Sequence, residues 1–140
     1  MNKNDKIYKL LYNLGLDDEE IQEIAKENVY LSKVLASDVL QLLEYLENQG
    51  LNVDEIMEVS IKNPWVLTES FERLRWLEKV YASLDIEGKK YRELIVKYPI
   101  SVSLNPVDVE KKINEFTKEG MTKEMICEKF FAEFDSYFEL

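Results

Sequence analysis

An all-α repeat fold is predicted by three observations on this chain. Glycine recurs every 35 residues, at Gly15, Gly50 and Gly120, with Asp85 standing at the missing step. An apolar residue follows each, giving Leu16, Leu51, Ile86 and Met121. Pro64 and Pro99 are separated by the same 35 residues. Self-similarity at such a period marks a solenoid, in which one supersecondary unit stacks on copies of itself. The expectation is a single helical-repeat domain over residues 1–140, a right- or left-handed superhelical solenoid of about four units. The units fall at roughly 1–35, 36–70, 71–105 and 106–140.

Aligned on the glycine, the units show what each element is made of. Leu11, Leu46, Tyr81 and Phe116 lie four residues before it, and Asn4, Val39, Leu74 and Val109 lie eleven before. Ile21, Ile56, Tyr91 and Ile126 lie six after it, and Ile24, Val59 and Leu94 nine after, where Lys129 is the misfit. Spacings of three, four and seven place an apolar stripe on one helix before the glycine and one after. Glycine between them suits a left-handed C-terminal cap, which strains most side chains and which Asp tolerates better than most.

Second helices are expected to open at Asp17, Asn52, Glu87 and Thr122, with Glu20 and Glu55 placed for reciprocal capping. First helices are expected to open at Ser37, Ser70 and Asn105, the last with Pro106 in the first helical position. A third segment follows each second helix: Asn28 to Leu31, Asn63 to Leu67 and Tyr98 to Val102. Pro64 and Pro99 stop the helix before them, and the apolar content predicts short 3₁₀ turns tucked into the core. Alternation from Ile100 to Leu104 imitates a strand, but one short segment without a partner forms no sheet. Trp65 shares its register with Tyr30 and Ile100 and is expected in the core.

Composition bounds the rest. Of 140 residues, 46% are hydrophobic, enough for a continuous core, and four Gly with three Pro leave little room for linkers. Cys127 is the only cysteine, so no internal disulfide forms and a reducing compartment fits. No apolar run approaches the roughly 18–20 residues that span a bilayer. The opening residues lack the apolar core of a signal peptide because Lys9 interrupts. The expected location is cytoplasmic, away from membranes.

Helix, glycine, apolar residue, capped helix and apolar turn together resemble the repeat of the mitochondrial transcription termination factor (mTERF) family. The residues that carry the resemblance are Leu14-Gly15-Leu16, Gly50-Leu51, Asn63-Pro64-Trp65-Val66-Leu67, Tyr98-Pro99-Ile100 and Gly120-Met121. It covers nearly the whole chain, with the last unit degenerate. The resemblance implies a curved superhelix of three-helix units, with nucleic acid, commonly duplex DNA, bound along a basic concave face. Tetratricopeptide repeats fit less well, since glycine here ends a helix. Pentatricopeptide repeats lack the apolar Pro-containing segment.

Charge departs from that family picture. The four units carry −2, −6, +2 and −4, and the chain −10. Duplex binding draws on Lys and Arg at phosphates, and a chain this acidic repels phosphate at long range. Nucleic acid is therefore the alternative ligand, confined to the basic third unit through Arg75, Lys89, Lys90, Arg92 and Lys97. The bland reading of that patch is a solvated face paired with Glu72, Glu78 and Glu93. An organellar member would also open on an Arg- and Ser-rich transit peptide, which this N-terminus does not resemble.

Departures from the repeat point to partner binding. Trp76 stands where other units have Lys6, Gln41 and Lys111, with Arg73 and Lys79 at helical spacing. Aromatic and Arg side chains dominate interface hot spots, so these three are candidate partner contacts; the alternative places Trp76 at the margin of the buried stripe. At the C-terminus, Phe131, Phe134 and Phe138 fall on a helical stripe with Phe130 and Tyr137. That stripe either closes the last unit or pairs two copies, so the chain is expected to be a monomer or a homodimer.

No catalytic, cofactor-binding or metal-binding residue is assigned. Histidine is absent, which removes the usual general base. Cys127 has no His to make it a thiolate. The run Asp17 to Glu20 lacks the spacing of a calcium loop and suits the first turn of a helix. The expectation is a non-enzymatic module without cofactor that binds a protein as adaptor or inhibitor.

Overall fold

Each repeat turns at the position marked by the glycine interval. In the computed structural model, which describes residues 1–3 and 5–137, φ is positive at Gly15 (126°), Gly50 (96°), Asp85 (63°) and Gly120 (85°). The turn is closed the same way each time. The N–H after it donates to a carbonyl five residues back: Leu16 to Leu11 at 3.2 Å, Leu51 to Leu46 at 3.3 Å, Ile86 to Tyr81 at 3.1 Å and Met121 to Phe116 at 3.1 Å. This satisfies carbonyls that a helix end leaves orphaned, and it brings two apolar side chains together across the turn.

The chain divides into two compact units, Met1–Phe71 and the residues from Glu72 onward. The division falls one residue past the second repeat. In the first unit, α1 (Lys6–Leu14) and α2 (Asp18–Glu27) lead to a 3₁₀ turn at Val29–Lys33. Then α3 (Ala36–Asn48) and α4 (Val53–Lys62) lead to a second turn at Pro64–Thr68. In the second unit, α5 (Phe71–Ala82, its first residue shared) and α6 (Lys89–Lys97) lead to a turn at Pro99–Val102. There α7 (Pro106–Lys118) and α8 (Lys123–Ser136) complete the chain. The fold is all-α, a helical repeat with no strand among the described residues.

Capping residues start these helices much as their sequence asks. Asp17 accepts from the Glu20 N–H at 2.8 Å while Glu20 accepts from the Asp17 N–H at 3.0 Å. Asn52 and Glu55 repeat the exchange at 2.9 and 3.0 Å. Thr122 and Asn105 accept from the N–H groups of Met125 and Val107. Two openings differ from expectation. Gly88, with φ of 60°, precedes α6 in place of Glu87. Helix α3 begins before Ser37, after an extended Leu35 that makes no side-chain cap.

A buried amide ties the first two repeats together, and a buried hydroxyl braces the third repeat internally. Asn28, fully buried, donates to the Pro64 carbonyl and the Thr68 hydroxyl, both at 2.9 Å, and accepts from the Tyr30 N–H at 3.2 Å. One side chain thus joins the first two 3₁₀ turns. In the second unit the buried Tyr81 hydroxyl donates to the Ser101 carbonyl at 2.6 Å, and burial pushes its pKa upward.

The 3₁₀ turns are only partly core. Leu31, Val66, Leu67 and Val102 are buried, but Trp65 is exposed and leans on the exposed Tyr30 ring at 6.0 Å. Here apolar register mates mark a shared outward face, because an aromatic ring is stable half in water on a neighbouring ring.

Two losses of stability follow, both to be measured by denaturant unfolding. Asn28→Ala removes a fully buried amide and leaves the part-buried Pro64 carbonyl and Thr68 hydroxyl without its bonds, at an expected cost of about 1–3 kcal/mol. Gly120→Ala meets no atom within 4 Å of the new Cβ, so its cost is conformational, about 1–2 kcal/mol.

Candidate partner-binding surfaces

The basic residues of the third repeat do not form one basic face. Arg75 and Lys79 are exposed on α5, where Arg73 is half-buried. On α6, Lys89, Lys90 and Lys97 are exposed and Arg92 is half-buried. Lys89 lies 3.9 Å from Glu93, and the Lys97 ammonium sits 5.2 Å from the centre of the Tyr98 ring. Lys90 and Lys97 share one edge of an open groove of about 520 Å³ between α6 and α8. Glu93, Glu124 and Glu128 line the same groove, and Lys123 beside it lies 3.3 Å from Asp85. Cations there face carboxylates.

Cys127 borders that groove, its Sγ 3.9 Å from the Leu84 carbonyl. Burial, and after it the Asp85 carboxylate, raises its thiol pKa.

Trp76 stands 44% exposed on α5, and its indole N–H donates to Glu110 Oε1 of α7 at 2.7 Å. The ring is thereby a strap between two first helices of the second unit. The C-terminal aromatics divide. Phe134 is only 1% exposed, packed against Tyr98 and Phe130, which removes it from any free self-association face. Phe131 is half-buried and stacks on Tyr98 at 5.8 Å. Phe138 lies outside the described residues. Phe130, Phe131 and Phe134 of the stripe pack within the unit, against Tyr98, Phe116 and one another.

A surface that the sequence reading did not single out lies in the first unit. Leu10 of α1, Leu40 of α3 and Val53 of α4 line an open groove of about 470 Å³. A second hollow of about 320 Å³ shares Leu10, Asn13 and Leu40 with it, making one trench. Leu40 is 44% exposed and Val53 53%. Glu44 and Glu47 border one stretch of the trench, Lys6 and Lys9 the other. The signal was present in the repeat alignment. Leu40 stands in register with Asp5, Arg75 and Glu110, and Val53 with Asp18, Gly88 and Lys123. Both are aliphatic where the other repeats are charged or bare, a break less conspicuous than a tryptophan.

A family model for mTERF matches residues 1–135. The chain belongs to the mTERF family. No curated protein and no solved structure gives a match.

Within the mTERF repeat, equivalent positions of the two units now compare directly. Glu110 is the counterpart of Leu40, and Trp76 that of Lys6. The second unit closes this place with the Trp76–Glu110 hydrogen bond; the first leaves it open and aliphatic. The acidic run Asp17 to Glu20 has local roles in this mTERF chain. Asp17 and Glu20 cap α2, and Asp18 accepts the Tyr8 hydroxyl at 2.9 Å, the bond that chiefly lowers its pKa. Among the described residues no group of three or more His, Cys, Asp or Glu is arranged to hold a metal ion, and no helix is long and apolar enough to cross a membrane.

The raised thiol pKa has a kinetic consequence. At pH 8 Cys127 is expected to react with iodoacetamide more slowly than free cysteine, and to approach the free rate on denaturation, as followed by mass spectrometry.

Proposed function

We propose that this mTERF-family chain is a non-enzymatic binding module whose ligand is another protein, acting as adaptor or inhibitor. The observation that carries this reading is the open trench at Leu10, Leu40 and Val53, in and beside the repeat of net charge −6. Scattered exposed leucines are ordinary, but apolar side chains converging on one concavity mark a docking surface. An acidic protein surface also disfavours phosphate and favours a basic protein, which includes proteins that themselves bind nucleic acid.

Family membership supports a second reading, nucleic acid held by the third repeat. Its physical basis is the exposed Lys89, Lys90 and Lys97 on α6. Against it stands the facing of Lys90 and Lys97 by Glu124 and Glu128 in one groove, which cancels much of the field a phosphate would feel.

A mobility-shift titration against duplex DNA and single-stranded RNA at physiological salt separates the two. No retardation at micromolar protein is the expected result. Retardation whose affinity falls steeply with salt, and is lost in Lys90→Glu with Lys97→Glu, would establish the nucleic-acid reading instead.

A further inference from the structure

The occupant of the first unit's trench is constrained by what the trench offers, and the inference rests on the protein-binding reading above. Its walls are the sides of α1 and α3, whose mid-helix backbone groups are engaged in helical hydrogen bonds, and the first turn of α4, where Asn52 caps the Glu55 N–H. No strand edge exists among the described residues, so an extended peptide finds no ladder to join. A ligand that lies along α1 and α3 meets side chains there and must satisfy its own backbone. An α-helix does so, and it presents an apolar stripe at i, i+3, i+4 and i+7 to a groove of this kind.

Length and charge narrow it further. The trench runs along α3, whose 13 residues measure about 20 Å, the length of three to four helical turns. Glu44 and Glu47 lie at one end, Lys6 and Lys9 at the other. We infer that the trench docks an amphipathic helix of a partner protein, basic at one end, acidic at the other, with aliphatic anchors seated on Leu10, Leu40 and Val53. The apolar stripe supplies affinity, and the exposed charges set orientation and partner choice.

The repeats themselves supply the test variants. Leu40→Glu installs the residue found at Glu110, and Val53→Lys the residue found at Lys123, so each side chain is one the fold already accepts at that place. The probe is a labelled helical peptide of about 14 residues, long enough for the trench at 1.5 Å per residue. It carries a leucine stripe, two lysines at one end and two glutamates at the other. Fluorescence anisotropy is read alongside circular dichroism melting of each variant.

Saturable micromolar binding is expected, weakened at least about tenfold by Leu40→Glu and by Val53→Lys with melting temperature unchanged. Val29→Glu, at an exposed apolar site outside the trench, is expected to leave binding intact. Replacing the peptide's leucines with glutamine should abolish it, and replacing its lysines with glutamate should weaken it. No saturable binding, or equal binding by Leu40→Glu, overturns the proposal. A dimer in sedimentation that Leu40→Glu dissolves overturns it in favour of a second copy. The mobility shift reports separately on the protein-binding reading: peptide failure without nucleic-acid binding removes only the helical occupant.

Discussion

The structure depends on one recurring closure, the N–H of the residue after the left-handed turn bonded to the carbonyl five residues back. It occurs in all four repeats, between Leu16 and Leu11, Leu51 and Leu46, Ile86 and Tyr81, and Met121 and Phe116. Only a positive φ brings those groups together, which is why Gly15, Gly50 and Gly120 are needed and why Asp85 alone departs. The closure fixes the angle between first and second helix. With that angle set, the stripes through Ile21, Ile56, Tyr91 and Ile126 all point inward and are buried. At Gly15 the demand is doubled, since a Cβ there would stand 2.8 Å from the Met57 sulfur.

A repeat that closes identically each time frees its outer positions to diverge. The second unit uses that freedom to cross-link itself, with Trp76 bonded to Glu110, Lys112 to Glu133 at 2.9 Å and Lys123 to Asp85. These exposed ion pairs add little stability, of the order of 0–1 kcal/mol each, but they occupy the surface. In the first unit the same places hold Leu40 and Val53.

Most of the fold was legible in the sequence because its determinants are local. The glycine interval, the capping boxes at Asp17 and Asn52, and Pro64 and Pro99 act within a few residues of themselves. Trp65 was misjudged because register records which face a residue shares, not whether that face is covered. Gly88 displaced Glu87 as the opening of α6 because a glycine accepts the φ of 60° found there. The trench was missed for a different reason. It needs Leu10, Leu40 and Val53 from three helices, and only the packed arrangement reveals that two modest pattern breaks adjoin.

Charge placement completes the case for that trench. Much of this chain's acidity serves its own helices: Asp5, Asp17 and Asn52's partner Glu55 stand at N-termini, where the macrodipole favours them. Glu44 and Glu47 do not. They lie toward the C-terminus of α3, which carries no basic residue in its last turn, so the helix dipole opposes them there. The Glu47 carbonyl accepts from the Gly50 N–H at the helix end, but the carboxylates of both residues border the aliphatic trench. Residues that break a local rule without local compensation are where a fold yields to its function. In this protein two such carboxylates and two exposed aliphatic side chains converge on one groove, and the basic end of the proposed helix is the complement that would relieve the unfavourable position of both carboxylates.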